Sequence, residues 1–156
     1  MTVAEKLVAL LKAQGLTCAT AESCTGGGVG SAITAVPGSS AVFAGGVISY
    51  SNEVKRDVLG VSQRNLDDFG AVSPQVAAEM ADGARKLLKV DLAVSLTGIA
   101  GPDGGSAEKP VGLVWFGLST ATGTRTEKVL FTGDRATIRA RAVTHALGML
   151  TIGATT

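Results

Sequence analysis

The sequence predicts an α/β fold of three layers, α/β/α, in which helices cover both faces of a mixed, mostly parallel sheet of about five strands. Through most of the chain, short apolar segments of strand length alternate with helical patterns, which is typical of parallel strands joined by helices. Two β-favouring segments then follow each other directly, at about 111–119 and 125–132, and predict an antiparallel hairpin. The length of 156 residues, with no repeat and no linker, predicts one domain over 1–156.

The N-terminal part of the chain predicts two pairs of helix and strand. Residues 2–14 are expected to form a helix, because Thr2–Glu5 fits a capping box and apolar residues follow at helical spacing. A strand at about 16–21 leads into a small-residue helix at about 25–35, which packing must hold because its glycines cost intrinsic helicity. A second strand is expected at 42–50.

The following segments carry clear helix start and stop signals. A helix capped by Ser51 or Asn52 is expected to end near Gly60, and a short helix follows at about 62–69. The pair Ser73-Pro74 predicts the start of a longer helix, which ends near Lys89. The remaining elements are a buried strand at 91–97 and a last helix that begins at Gly133-Asp134. The apolar spacing predicts these buried residues in the two long helices: Val76, Met80, Ala84, Leu87 and Leu88, then Ala136, Ala140, Val143, Leu147 and Leu150.

The composition indicates a large core and a weakly charged surface. Hydrophobic residues make up 46% of the chain and charged residues 17%, so part of the surface is expected to meet further copies in a homodimer or higher homo-oligomer. A net charge of +1 and 4% aromatic residues argue against a nucleic-acid partner. No run of 18 apolar residues and no charged-then-apolar leader appear, so we expect no membrane partner and a cytoplasmic location.

The few cysteine and histidine residues argue against disulfides and metals. Cys18 and Cys24 make no disulfide framework, and with His145 as the sole histidine they match no usual zinc spacing. The chain is therefore expected to work in a reduced compartment, without a metal and without a cofactor.

The stretch Cys18–Ser31, with sequence CATAESCTGGGVGS, has the pattern of a strand, a sharp turn and a helix. Such a turn puts a hydroxyl at the carboxyl end of the strand, next to unpaired N–H groups of the following helix. Those N–H groups can hold an anion, or the oxyanion of a tetrahedral intermediate. Glycines in the turn let another molecule approach the backbone closely. The stretch is therefore the first candidate for a functional site.

Ser23 is the candidate nucleophile of this turn. Its alternative use is that of an N-cap, which is the commonest role of serine before a helix and is favoured on residue type alone. Against that use, Thr25 could cap the same helix. The motif is not a nucleophile elbow, because Ala21 stands two residues before the serine, and it is not a P-loop.

A serine nucleophile needs a base, and lysine is the best-placed candidate. His145 lies deep in the last predicted helix, where a packing or surface role is expected. Lys55 lies one turn into a predicted helix, whose positive end lowers the pKa of an amine, but that pKa must fall from ~10.4 to roughly 7–8. Tyr50, the only tyrosine, could pass a proton between Lys55 and Ser23. The alternative is a solvated lysine beside a packing tyrosine, and the spacing leaves it open.

The segment 98–112 is a second candidate for binding. It is glycine-rich, has no pattern of helix or strand, and is longer than most loops that bind nothing. Asp103 offers an acceptor, Lys109 offers a partner for phosphate, and glycine N–H groups suit anions. The alternative is a long turn.

Two further residues near these segments carry hypotheses. Cys24 could be a nucleophile at a helix start, but it lacks a histidine partner, so a buried structural cysteine is the alternative. Arg135 lies in the first turn of the last helix, against the helix dipole, where an anion could hold it.

The chain resembles the CinA C-terminal domain family, whose stand-alone members are nicotinamide-nucleotide amidases. The resemblance covers nearly the whole chain. It departs from the family pattern at Gly28, where relatives usually carry a bulkier apolar residue. Its carriers are AESCTGG at 21–27, GGVISYSNEVK at 45–55, LGV at 59–61, GAVS at 70–73, and SLTGIAGPDGG with EKPVGLVWF within 95–116.

The resemblance implies hydrolysis of the carboxamide of nicotinamide mononucleotide, with Ser23 as nucleophile and Lys55 and Tyr50 as base and relay. N–H groups around residues 25–27 would stabilise the oxyanion. The glycine-rich loop, with Lys109 or an arginine, would hold ribose and phosphate of this small-molecule nucleotide. The expected substrate-binding residues are Thr25, Gly26, Gly27, Asn52, Gly98, Gly101, Asp103, Gly104, Gly105, Lys109 and Arg135.

Two other functions remain as alternatives on the sequence. One is a non-catalytic nucleotide-binding or regulatory module, which would use the same glycines without turnover. The other is a thiol hydrolase that acts through Cys24. Functions tied to the additional N-terminal domain of longer CinA proteins are not carried over.

Overall fold

The computed structural model describes residues 1–155, in which helices and strands alternate up to a C-terminal hairpin and helix. The helices are α1 (Val3–Gln14), α2 (Gly28–Thr34), α3 (Asn52–Leu59), α4 (Gln63–Phe69), α5 (Pro74–Leu88) and α6 (Arg135–Thr155), with a short 3-10 turn at Ser39–Ala41. The strands are β1 (Cys18–Glu22), β2 (Phe43–Ile48), β3 (Leu92–Gly98), β4 (Leu113–Thr120) and β5 (Gly123–Leu130). This element order is the one that the sequence predicts.

The five strands form one open sheet in the order β2-β1-β3-β4-β5. Strand β1 pairs in parallel with β2 and with β3, whereas β4 is antiparallel to β3 and to β5. Four of the five strands therefore run in one direction and β4 alone runs against them. The predicted mixed, mostly parallel sheet is confirmed.

Helices cover both faces of the sheet, as predicted. Helices α1, α2 and α6 pack on one face, and α5, with α3 and α4 against it, packs on the other. Side chains of one strand alternate between the two resulting cores: Cys18 joins the first, while Ala19 and Ala21 join the second. Strand β3 is buried on both faces from Leu92 to Thr97, as expected of a central strand.

The predicted caps form at the helix starts. Thr2 makes both bonds of a capping box with Glu5. The hydroxyl of Ser51 accepts a hydrogen bond from the N–H of Val54 at 3.2 Å, and Ser73 and Asp134 cap α5 and α6 in the same way. Helix α2 differs from the prediction: it begins at Gly28, after two glycines in the left-handed region, and has no side-chain cap at Gly27.

Some predicted core positions are wrong. Leu87 is exposed, because the buried stripe of α5 runs from Ala84 to Leu88 and leaves Leu87 outside the last turn. In α6, Ala136 and Ala140 are exposed. Alanine and arginine alternate in that segment, and Ile138 and Ala142, two positions further on, are buried there instead. The predicted Leu147 and Leu150 are buried, and Val143 is half-buried.

No helix among residues 1–155 has the length and hydropathy that a membrane crossing requires.

Candidate active site

The candidate site lies where three neighbouring parallel strands end. Ser23 follows β1, Ser49 and Tyr50 follow β2, and Thr97 and Gly98 end β3. Because parallel strands have their carboxyl ends at the same edge of the sheet, these residues meet although they are far apart in the sequence. Helix α3 then starts one residue after Ser51 and brings Lys55 back over the same edge.

Lys55 and Ser23 are in direct contact in the protein interior. The Nζ of Lys55 lies 3.1 Å from the Oγ of Ser23, with 32 positions between them in the chain. The Lys55 side chain is 1% exposed and Ser23 is 7% exposed. Lysine is almost never buried so completely without a carboxylate partner, and none of the ion pairs among residues 1–155 involves Lys55.

Two backbone carbonyls orient the amine. Nζ of Lys55 donates to the carbonyl oxygens of Ser49, at 2.7 Å, and of Tyr50, at 3.1 Å. Burial lowers the pKa of Lys55 from the usual 10.5, and the nearby Cys24 sulfur acts weakly in the opposite direction. A neutral amine has two N–H donors and one lone pair. In that neutral form, with both donors on the carbonyls, the lone pair would face the third neighbour, the hydroxyl of Ser23.

A cavity of about 210 Å³ opens beside this pair. Six of the predicted site residues line it: Ser23, Tyr50, Asn52, Lys55, Gly98 and Arg135. The sequence reasoning did not assign the other lining residues to the site, except Cys24 as an alternative nucleophile: Cys24, Ala71, Val72, Thr97 and Ala100. The motifs GAVS and SLTGIAG contain four of these five, so the family resemblance held the signal that could have found them.

Tyr50 borders the cavity but does not bridge the pair. Its side chain is 63% exposed, and its hydroxyl makes no hydrogen bond to another residue in the described chain. Since Lys55 reaches Ser23 directly, a proton transfer between them needs no relay. The phenol instead forms part of the cavity mouth.

Several predicted binding residues lie away from this cavity. Gly101 is buried, and its carbonyl accepts a 2.7 Å hydrogen bond from Arg135. Asp103, Gly104 and Gly105 are exposed in the long loop. Lys109 donates to the carbonyl of Phe69 and lines a separate open groove of about 650 Å³ with Trp115, on the other side of Val72. That larger groove contains neither Ser23 nor Lys55.

The turn after Ser23 arranges backbone groups close to its hydroxyl. The N–H of Gly26 donates to the carbonyl of Ser23, and the N–H of Gly28 donates to that of Thr25, both at 3.0 Å. Gly26 and Gly27 have φ of 60° and 102°, which only glycine adopts readily. The N–H groups of Cys24, Thr25 and Gly27 donate to no oxygen of residues 1–155. The N–H of Gly26, one of the groups predicted to stabilise the oxyanion, is already bonded to the Ser23 carbonyl.

Cys24 lines the cavity next to Ser23 but is poorly suited to attack. Burial raises the pKa of its thiol to about 11, although the backbone N–H of Cys24 itself and then Arg139 act in the opposite direction. The reactive form of cysteine is the thiolate, which is therefore scarce at neutral pH. No cluster of three or more histidine, cysteine, aspartate or glutamate residues suitable for a metal is found in residues 1–155.

Comparison with known proteins finds relatives over most of the chain. The chain is 51% identical over 151 residues to the nicotinamide-nucleotide amidohydrolase PncC of Escherichia coli K12, a match that covers 96% of this chain and 92% of that protein. It is 53% identical over 146 residues to a competence-damage inducible protein of Caldanaerobacter subterraneus subsp. tengcongensis. That match covers 94% of this chain but only 35% of the relative, which is much longer.

A solved structure shows the same fold. The competence/damage inducible protein CihA from Agrobacterium tumefaciens superposes with a TM-score of 0.95 at 44% identity, over 99% of this chain and 94% of that one. The CinA C-terminal domain matches residues 1–152, which include every residue of the cavity. The chain belongs to the CinA C-terminal domain family.

Proposed function

We propose that the protein hydrolyses the carboxamide of nicotinamide mononucleotide to nicotinic acid mononucleotide and ammonia. The observation that carries the proposal is the buried contact between the Lys55 amine and the Ser23 hydroxyl, 3.1 Å apart. A lysine with a lowered pKa next to a serine is the arrangement of a Ser–Lys hydrolase. The choice of substrate comes from the amidohydrolase of Escherichia coli, which is named for nicotinamide nucleotides.

The first half-reaction is acylation of Ser23. Neutral Lys55 takes the hydroxyl proton as Oγ attacks the carboxamide carbon, and the carbonyl π electrons move to oxygen. The N–H groups of Cys24 and Thr25 lie in the turn that carries the nucleophile and would donate to that oxyanion. Collapse of the intermediate breaks the C–N bond. The protonated Lys55 then gives its proton to the leaving nitrogen, which departs as ammonia.

The second half-reaction is hydrolysis of the ester on Ser23. Lys55, neutral again, removes a proton from water as the water oxygen attacks the acyl carbon. Collapse breaks the ester bond, returns a proton to Oγ, and releases the carboxylic acid. The two half-reactions together consume one water, release one ammonia and leave the enzyme unchanged.

The size of the cavity suggests how a nucleotide would lie. A volume of about 210 Å³ suits the pyridine carboxamide and leaves the ribose and phosphate at the mouth. The exposed ring of Tyr50 is available there for contact with a planar group. Arg135, at the first turn of α6, also lines the cavity and is the charged partner that we propose for the phosphate.

The proposal also covers the setting of the enzyme. We propose a single domain over 1–156, a cytoplasmic location, no nucleic-acid or membrane partner, and a homodimer or higher homo-oligomer. Large apolar side chains at the surface, such as Ile48 and Leu130, support self-association. Light scattering coupled to size exclusion tests it: a mass of one chain at micromolar concentration contradicts the oligomer.

Ammonia release from nicotinamide mononucleotide tests the function. We expect turnover by the wild type and a loss of at least about 10³-fold in Ser23→Ala, with Ser40→Ala, an exposed serine, as the matched control. Circular dichroism checks that both variants are folded. A wild type that binds the nucleotide without releasing ammonia supports the alternative, a non-catalytic binding module. Full activity in Ser23→Ala removes Ser23 as nucleophile.

A further inference from the structure

We propose that Arg139 is a positioning residue for this reaction, which holds the peptide between Cys24 and Thr25 so that the Thr25 N–H remains aimed at the oxyanion. The inference rests on the proposed amidase function. Arg139 is on α6, more than a hundred positions from the turn in sequence, and it does not line the cavity.

The guanidinium of Arg139 binds the carbonyl side of the turn. Its Nε donates to the carbonyl oxygen of Cys24 at 3.0 Å, and its Nη2 donates to that of Thr25 at 3.2 Å. Two parallel donors from one planar group fix both the position and the rotation of the acceptors. In a planar trans peptide the C=O and the N–H point in opposite directions. The Thr25 N–H therefore points away from Arg139 and α6.

Glu22 binds the other side of the same turn. Its carboxylate is 1% exposed and accepts hydrogen bonds from the Thr25 hydroxyl at 2.6 Å and from the N–H groups of Val29 and Gly30 at 2.9 and 3.0 Å. The first N–H groups of α2 are therefore occupied by this carboxylate. The donors that remain for an oxyanion at Ser23 are the backbone N–H groups of the turn, so stabilisation of the oxyanion depends on how the turn is oriented.

Without Arg139 the carbonyl side of the turn loses its side-chain donors. A full rotation of the Cys24–Thr25 peptide would need a positive φ at Thr25, which a β-branched residue strongly disfavours, so the expected change is a tilt and shift of the peptide N–H. Glu22 does not hold this peptide directly, because its contacts are to the Thr25 hydroxyl and to α2. The contact with Arg139 is thus the one that fixes the peptide from its carbonyl side.

The test compares Arg139→Met with Arg141→Met in steady-state ammonia release from nicotinamide mononucleotide. Arg141 is the matched control, because it lies two residues further on the same helix, is exposed, and reaches only the carbonyl of Thr132 at 3.5 Å. For Arg139→Met we expect kcat to fall by about 10- to 100-fold, less than the 10²–10³-fold typical of deleting an oxyanion donor. KM should stay within about threefold, and the pH at which kcat/KM inflects should not move, because Lys55 is untouched.

Arg139→Ala with added guanidinium chloride separates positioning from a loss of structure. Millimolar guanidinium should restore part of kcat in Arg139→Ala and none in Ser23→Ala, since a misfolded turn would not be repaired by a small cation. Arg139→Met with a kcat within threefold of the wild type, a loss confined to KM, or an absence of rescue would each overturn the inference. Lack of turnover in the wild type and in Arg141→Met would instead reject the proposed function itself.

Discussion

The Nζ of Lys55 lies 3.1 Å from the Oγ of Ser23 because their two strands are parallel neighbours. Strand β1 pairs with β2 in a register that sets Glu22 beside Ile48, so the two strands end next to each other at the same edge of the sheet. Ser23 is the next residue after β1, and after β2 the chain turns at once into α3, whose first turn carries Lys55. The contact is therefore a product of strand register.

The first prediction concerns the pH dependence of turnover. Lys55 must be neutral to act as base, and burial lowers its pKa from the usual 10.5. We expect kcat/KM to rise tenfold per pH unit at low pH and to level off at a pH below 10.5. Steady-state ammonia release between pH 5 and 10 in buffers of constant ionic strength measures it. A profile that is flat over this range would show that no base of this kind titrates in catalysis.

The second prediction concerns stability and follows from the same shift. Between the lowered folded pKa of Lys55 and 10.5, the unfolded chain binds more protons than the folded one. The free energy of unfolding therefore rises with pH in this window, and the cost of burying the amine is fully present below it. Lys55→Met lacks this group. We expect wild-type stability, measured by urea unfolding, to improve relative to Lys55→Met as the pH rises. A constant difference across the window contradicts the lowered pKa.

The third prediction separates Ser23 from the neighbouring thiol. The pKa of Cys24 is raised by burial to about 11, so the thiolate is scarce at pH 7. Cys24→Ala should keep kcat within about fivefold of the wild type, because it retains the backbone N–H that the mechanism uses. Loss of activity comparable to that of Ser23→Ala, in a variant with an unchanged melting temperature, would favour the thiol hydrolase instead.

The fold could be predicted because its signals are local. Caps at Thr2, Ser51 and Ser73 fixed helix starts, and the alternation of apolar segments with helical patterns fixed the layers. The core face of α6 could not be read in the same way. Its first turns contain alanine and arginine, so the sequence does not show whether Ala136 or Ile138 faces the sheet. The packing of α6 against α1 and β3 buries Ile138.

The individual site residues could be predicted from local signals, but the contacts between them could not. Ser23 and Lys55 were found from turn chemistry, from the lack of a usable histidine and from family motifs, but their contact depends on strand pairing. The contact of Arg139 with the turn at residues 23–26 could not be predicted, because nothing in the sequence connects α6 to that turn. Lys109 had the right charge for phosphate, yet the chain directs it to the carbonyl of Phe69.

The fourth prediction concerns Gly28, at the first position of α2. A Cβ at this position would lie 2.9 Å from the Cγ2 of Val143 on α6, which is closer than real Cβ atoms approach. Gly28→Ala should therefore lower the free energy of unfolding by about 1 kcal/mol, because overpacking outweighs the gain in helix propensity.

A double-mutant cycle with Val143→Ala identifies the cause. Removing the two methyl groups of Val143 opens the space that the new Cβ needs, so Gly28→Ala should be neutral or stabilising in that background. Urea unfolding of the wild type, both single variants and the double variant gives the coupling. Additive effects of the two substitutions on the free energy of unfolding would mean that contact with Val143 is not the cause of the destabilisation in Gly28→Ala.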